Sequence, residues 1–221
     1  MPEQRRKQKN SAVKLTILFT FIYTLITQQV LANSWIRRLD EWIYDRSFLT
    51  LEPNKTPTLV MLVDDLGLRS ITAIALLVTA TLISRRFKSW RPINLSLLSL
   101  LLLNLTVGAS KLLFGRSKPS TGFDLFFTDS GLSYPSGHAS NAILTWGVLA
   151  YLIYRYAHVN RYRGRLASAG VALISLSVCV VSLMRNTHWL SDLVGGLFIG
   201  AALLVMVIAI DRFVTSNSQL S

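Results

Sequence analysis

Six stretches of mostly apolar residues dominate this chain: 15–32, 66–83, 93–109, 139–156, 166–184 and 190–210. Each approaches the roughly 20 residues that a helix needs to cross the hydrocarbon of a bilayer. One such stretch alone would fit a buried core helix. Six of them in 221 residues, with 51% of the chain hydrophobic and only 15% charged, leave too little polar sequence to coat a soluble core. The expected fold is therefore all-α, a bundle of six transmembrane helices. The second stretch is the weakest, because Arg69 and Ser70 stand near its start.

The formal net charge is +12, and its distribution along the chain sets its meaning. Basic residues collect in the N-terminal tail (Arg5, Arg6, Lys7, Lys9, Lys14), between the second and third stretches (Arg85, Arg86, Lys88, Arg91) and between the fourth and fifth (Arg155, Arg161, Arg163, Arg165). Arg212 follows the sixth. Only Glu3 and Asp211 oppose them, so these segments hold the whole excess and the remainder of the chain balances to zero. Positive charge on alternate connections is the signature of cytoplasmic loops, which predicts that both termini are cytoplasmic. A nucleic-acid partner would require the charge on one folded face, so none is expected.

The first stretch is long and followed by only a faint small-residue cleavage cue, so it reads as an uncleaved anchor rather than a signal peptide. After it, Trp35, Ile36, Leu39, Trp42 and Ile43 recur at helical spacing, with Arg37, Arg38, Asp40 and Glu41 between them. That pattern predicts an amphipathic helix lying in the membrane interface, ended before Pro53 and Pro57. Gly195, Gly196 and Gly200 give the last stretch a small-residue face for close helix packing. The lone cysteine, Cys179, reads as a small core side chain. The expected organisation is a basic cytoplasmic tail (1–14), two spans with a long outer connection (15–90), a core of four spans (91–210) and a second cytoplasmic tail (211–221).

Three polar clusters sit at span ends, and the charge alternation maps all three to the outer side. Lys111, Arg116, Lys118 and Pro119 leave the third span; Tyr134-Pro135-Ser136-Gly137-His138 enters the fourth; Arg185 to Asp192, including His188, joins the fifth and sixth. Taken singly, Lys111 or Arg185 would be read as snorkelling to the interface. Three clusters on one side point instead to a site, because ionisable groups at membrane depth are expensive. Lysine offers phosphate a point charge and arginine a planar fork. Pro-Ser-Gly before an apolar run looks like a helix start, with Ser136 as cap, close backbone approach at Gly137 and free N–H groups that attract an anion. His188 and Asp192 are four apart, so on a helix they would share a face, and a carboxylate beside an imidazole fixes its tautomer. Asp124 and Asp129 read as solvated loop residues and His158 as surface.

These clusters resemble the type-2 phosphatidic-acid phosphatase and vanadium haloperoxidase superfamily, whose pattern is Lys-x6-Arg-Pro, then Pro-Ser-Gly-His, then Ser-Arg-x5-His-x3-Asp. Lys111, Pro119, Pro135-Ser136-Gly137-His138, His188 and Asp192 match it, over roughly residues 91–210. Two positions depart: Lys118 stands where the family has its first arginine, and Ser182 where it has the arginine six before the histidine. Arg185, one helical turn nearer His188, and Arg116 are the candidates to compensate.

The resemblance implies a lipid phosphate or diphosphate phosphatase acting at the outer face of a plasma membrane, with no cofactor and no metal. It implies that His188 forms a phosphohistidine, oriented by Asp192, and that His138 protonates the leaving oxygen. Lys111, Lys118, Ser136, Gly137, Arg185 and Arg116 are the implied phosphate ligands. The substrate expected is a membrane lipid phosphate: phosphatidate, phosphatidylglycerol phosphate or a polyprenyl diphosphate. Two alternatives use the same residues differently: a phosphotransferase that hands the phosphate to another lipid, and a lipid-binding or transport protein whose site has decayed at Ser182. Halide oxidation fits less well, since relatives of that kind are mostly soluble. The compact size and lack of sorting signals favour a bacterial plasma membrane.

Overall fold

This bundle turns large apolar side chains outward, as a water-soluble protein does not, and buries many polar ones beside an apolar core. The computed structural model describes residues 2–46, 51, 56–119, 132–157 and 160–213. Pro53, Gly122, Asp124, Asp129, Gly131 and His158 lie outside the described residues. Among those described there are eight helices and no strand: α1 Pro2–Leu31, α2 Trp35–Asp45, α3 Thr58–Asp65, α4 Arg69–Phe87, α5 Arg91–Phe114, α6 Gly137–Tyr156, α7 Arg161–Met184 and α8 Leu190–Phe213.

The helix ends follow local chemistry. Asn33 takes a left-handed conformation (φ 50°), which asparagine tolerates, and turns the chain from α1 into α2. Pro92 in the first turn of α5 loses no needed N–H, and Gly115 closes that helix at φ 56°, its N–H donating to the Lys111 carbonyl at 3.0 Å. Asn160 caps α7 by accepting from the Arg163 N–H at 2.9 Å. The basic tail is helical with the first apolar stretch, as one continuous α1.

Five helices (α1, α4, α5, α7 and α8) are long and apolar enough to cross a membrane. The remaining expected span, the fourth stretch, coincides with α6, the 20-residue interior helix, which is not among those five. It packs against α4, α5, α7 and α8, so Ser140, Asn141 and Thr145 face protein and are buried. Around it, Leu76, Leu103, Val107, Leu144, Val148, Leu152 and Val207 form the main core. Leu82, Leu101, Leu105, Leu113 and Leu173 point outward and are exposed. α1 lies along α8.

Successive long helices run in opposite directions. At one end Arg91 Nε donates to Asp211 Oδ1 at 2.7 Å, Arg155 pairs with the same carboxylate, and Tyr151 donates to its Oδ2 at 2.6 Å. The other end gathers α2, α3, the start of α4, the end of α5, the start of α6 and the turn from α7 to α8. All three polar clusters meet there.

The close approach of α6 to α8 is set by glycine. A Cβ on Gly196 would stand 2.6 Å from the Ser136 carbonyl oxygen, and one on Gly200 would stand 2.7 Å from that of Ser140. Neither carbonyl can move without moving α6. A Cβ on Gly170 would meet nothing within 4 Å among the described residues. Gly200→Ala is therefore expected to destabilise the protein by about 1–3 kcal/mol through overpacking. Gly170→Ala is expected to be neutral or stabilising, by up to about 1 kcal/mol from helix propensity. Thermal unfolding of the two variants in detergent checks the contrast, and an equal shift in both would remove the packing argument.

Candidate active site

The site begins with the start of α6. Ser136 caps the helix, its Oγ accepting from the Ala139 N–H at 3.3 Å, while its own N–H donates to the Asp192 carbonyl at 2.9 Å. The second bond ties the beginning of α6 to the first turn of α8. His138, in the first turn of α6, then faces His188, with the ring centroids 6.4 Å apart.

His188 sits in the turn before α8 rather than on the helix, so the expected shared helical face is replaced by a capping geometry. Asp192, in the first turn of α8, reaches back to accept the Trp189 N–H at 3.0 Å on Oδ2. The same oxygen accepts from the Ser133 hydroxyl and lies 3.5 Å from His188 Nδ1. Ser133 Oγ is also 3.4 Å from that nitrogen. With Nδ1 turned to this carboxylate and hydroxyl, Nε2 is left on the far side of the ring.

Asp192 is fully buried, and Arg116 balances its charge. Arg116 Nη1 donates to Asp192 Oδ1 at 2.8 Å and to Ser191 Oγ at 2.6 Å, and Nη2 donates to Asp40 Oδ2 at 2.8 Å. Asp40 in turn accepts the Ser191 N–H at 2.9 Å on Oδ1 and the Ser191 hydroxyl at 2.5 Å on Oδ2. The guanidinium also lies over the Trp189 ring, 5.1 Å from its centroid. Arg116, expected from the sequence among the phosphate ligands, is directed to two carboxylates instead.

Arg185 has a comparable partner. Its Nη1 pairs with Asp64 at the end of α3, and Ser182 Oγ lies 3.5 Å from the other Asp64 oxygen. Asp64 and Arg185 both stand close enough to His138 to act on it electrostatically.

Between the histidines and the start of α4 lies a cavity of about 740 Å³, lined by Arg69, Lys111, Lys118, Gly137, His138 and His188 among others. The structure thus brings together His138, His188, Lys111, Lys118 and Gly137 at one cavity, with Ser136 and Asp192 directly behind. Lys111 Nζ donates to the Leu132 carbonyl at 2.6 Å, which holds the last turn of α5 against the chain entering α6. Tyr134 is buried below this layer and shares a 2.7 Å hydrogen bond with Thr27 of α1. Burial pushes its phenol above the ordinary range, so it remains a neutral hydrogen-bonding group.

Four of these residues were not singled out from the sequence as site residues: Asp40, Asp64, Ser133 and Arg69. Asp40 was legible in principle. It falls four after Ile36 and three before Ile43, and these three face inward while Trp35, Leu39 and Trp42 are exposed. Asp64 and Ser133 carry no local signal, since their roles come from segments distant in sequence, and Arg69 shows only as a charge within an apolar stretch.

Residues 92–215 match the family model of the PAP2 superfamily, which covers more than half of the chain. The chain belongs to the PAP2 superfamily. Its sequence is 25% identical over 84 residues to phosphatidylglycerophosphatase B of Bacillus subtilis, a match over 38% of this chain and 41% of that relative. The fold superposes with a TM-score of 0.79 on the crystal structure of a transmembrane PAP2-type phosphatidylglycerolphosphate phosphatase from Bacillus subtilis, at 19% identity and over 91% of this chain and 98% of that one. With five helices of spanning length and apolarity, the protein is a multi-pass membrane protein.

The Asp40–Arg116–Asp192 network makes a prediction of its own. Asp40→Ala leaves Arg116 buried with one carboxylate instead of two and removes an acceptor from the start of α8. Breaking a buried pair in this way costs about 3–5 kcal/mol. A thermal midpoint in detergent equal to that of the wild type would show that the network does not hold the fold.

Proposed function

We propose that the protein is a lipid phosphate phosphatase that works through a phosphohistidine and needs no metal. The observation that carries this reading is the pair of imidazoles at one cation-lined cavity, one of them backed by a buried carboxylate. A covalent phosphoryl transfer needs one group to attack and one to protonate the leaving oxygen.

In the proposed reaction, His188 Nε2 attacks phosphorus and the bond from phosphorus to the lipid oxygen breaks. His138 delivers a proton to that oxygen, and the lipid alcohol departs. His138 then takes a proton from water, whose oxygen displaces His188 and releases inorganic phosphate. Positive charge builds on His188 as it is phosphorylated. Asp40 and Asp192 together exceed the single charge of Arg116, which favours that change. Lys111, Lys118 and the cap formed by Ser136 and Gly137 hold the phosphate oxygens. Arg116 and Arg185 act one step back, Arg116 by fixing Asp192 and Arg185 by neutralising Asp64 beside His138.

The reading extends to orientation. We take α6 as a sixth span, both termini as cytoplasmic, and the cavity as facing outward, because the excess positive charge lies at the opposite end. The exposed stripe of Trp35, Leu39 and Trp42 on α2 would then rest at headgroup level near the cavity mouth. A headgroup entering there points to a lipid phosphate, with phosphatidylglycerol phosphate, phosphatidate and polyprenyl diphosphate as the candidates. The Bacillus relative named phosphatidylglycerophosphatase B is the reason to test the first of these first.

Purified protein is expected to release phosphate from at least one of these lipids in the presence of a chelator. His188→Ala is expected to lower turnover by about 10⁴-fold or more, as loss of a covalent nucleophile does. Activity lost to the chelator and restored by a divalent cation would overturn the histidine mechanism. Phosphate appearing on an added lipid alcohol instead of in water would identify a phosphotransferase.

A further inference from the structure

Phosphate sites favour guanidinium because its planar fork meets two oxygens at once. In this protein the two guanidinium groups drawn from the sequence to that role are engaged elsewhere. Arg116 is buried between Asp40 and Asp192, and Arg185 is paired with Asp64. Ser182, one of the two positions where the family pattern has arginine, lies against Asp64, and the other is Lys118. The cavity is nevertheless lined by one arginine among the described residues, and it comes from a segment outside all three clusters: Arg69, the first residue of α4.

We propose that Arg69 is a phosphate ligand of the active site and supplies the guanidinium that neither Lys118 nor Ser182 provides. Its Nη2 lies 3.9 Å from the point where a Cβ of Gly137 would stand, which puts the fork over the first turn of α6. The first N–H groups of that turn have no partner within the helix, apart from the Ala139 N–H capped by Ser136. Arg69 is exposed, has no carboxylate partner among the described residues, and lies close enough to Lys111 for the two charges to repel. Cations brought together at one cavity make a place for a dianion.

The segment carrying Arg69 is held firmly in position. Asn141 of α6 donates to the Gly67 carbonyl at 2.9 Å and to Thr72 Oγ1 at 2.6 Å. Trp146 Nε1 donates to the Leu66 carbonyl at 2.9 Å. Gly67 itself lies so close that an added Cβ would be 3.0 Å from His138 Cβ and 2.7 Å from Val178 Cγ1. The turn from α3 to α4 is therefore fixed to the same helix, within one turn of the same histidine, that opens the site. The arginine at its end is placed by that anchoring, with no hydrogen bond of its own needed.

The inference rests on the phosphatase reading above, and the experiment separates the two. Full-length Arg69→Gln, Arg69→Lys and His188→Ala are purified in detergent and assayed on phosphatidylglycerol phosphate and phosphatidate in mixed micelles. Inorganic phosphate serves as inhibitor and thermal unfolding as the folding control. Arg69→Gln is expected to lose about 10²-fold in kcat/KM, the scale for removing one preorganised donor. Inhibition by phosphate should weaken by about tenfold or more, as expected for a charge-assisted contact. Arg69→Lys should fall between, and the thermal midpoint should stay unchanged because the side chain is exposed. Wild-type kcat/KM and phosphate inhibition in Arg69→Gln, beside an inactive His188→Ala, would overturn the role of Arg69 alone. Lost activity with unaltered phosphate inhibition would overturn the contact with phosphate. Turnover surviving in His188→Ala would sink the phosphohistidine reading instead.

Discussion

One guanidinium holds the catalytic end of this protein together. Arg116 leaves the end of α5, reaches between α2 and α8, and joins Asp40 to Asp192 in a space where all three groups are almost wholly removed from solvent. A buried charge is tolerable only when paired and hydrogen-bonded. No member of this set can therefore be displaced without stranding another. Asp40 also accepts the Ser191 N–H, so the same network closes the start of α8. The orientation of His188 depends on it, because the carboxylate facing its Nδ1 is the one that Arg116 fixes from behind.

The second constraint is how near α6 and α8 come. With Gly196 against the Ser136 carbonyl and Gly200 against that of Ser140, the start of α6 is brought onto the first turn of α8. The hydrogen bond from the Ser136 N–H to the Asp192 carbonyl sets their register. Gly195 makes room for Tyr134, whose hydroxyl would stand 2.8 Å from an added Cβ. Two histidines 50 residues apart in sequence come to face one cavity through packing of backbone on backbone.

Much of this was legible in the chain and some was not, for reasons that differ by residue. The long helices follow from runs of apolar residues, a one-dimensional signal. Within those runs α6 reads as an ordinary span, yet Ser140, Asn141 and Thr145 mark it as the interior helix. His138, His188, Asp192, Lys111 and Lys118 were found because their spacing constitutes a pattern. Arg116 and Arg185 were found for their charge, but sequence cannot say which anion a cation will meet. Asp40 and Asp64 were already in the chain to meet them, and only folding brings 76 residues of separation down to a hydrogen bond. Arg69 was noticed only as a blemish in the second apolar stretch. A charge that weakens a span is costly at that depth, and such a residue is a candidate for function on that ground alone.

The two ends of the bundle treat charge in opposite ways, and the contrast bears on what the cavity is built to receive. At the far end Asp211 is answered by Arg91, Arg155 and the Tyr151 hydroxyl, so that one buried carboxylate ties together α5, α6 and α8. Behind the histidines, Asp192, Asp40 and Asp64 are likewise met by Arg116 and Arg185. Each of these acids is satisfied within the protein. Across the cavity the balance is reversed: Arg69 has no carboxylate partner among the described residues, and Lys111 donates to the Leu132 carbonyl. A fold that pairs each of these buried acids within itself, yet gathers cations at one opening, is the basis on which we propose an anionic ligand there. For the dianionic phosphate proposed as its ligand, such an arrangement would supply both affinity in the ground state and stabilisation as charge shifts to the leaving oxygen.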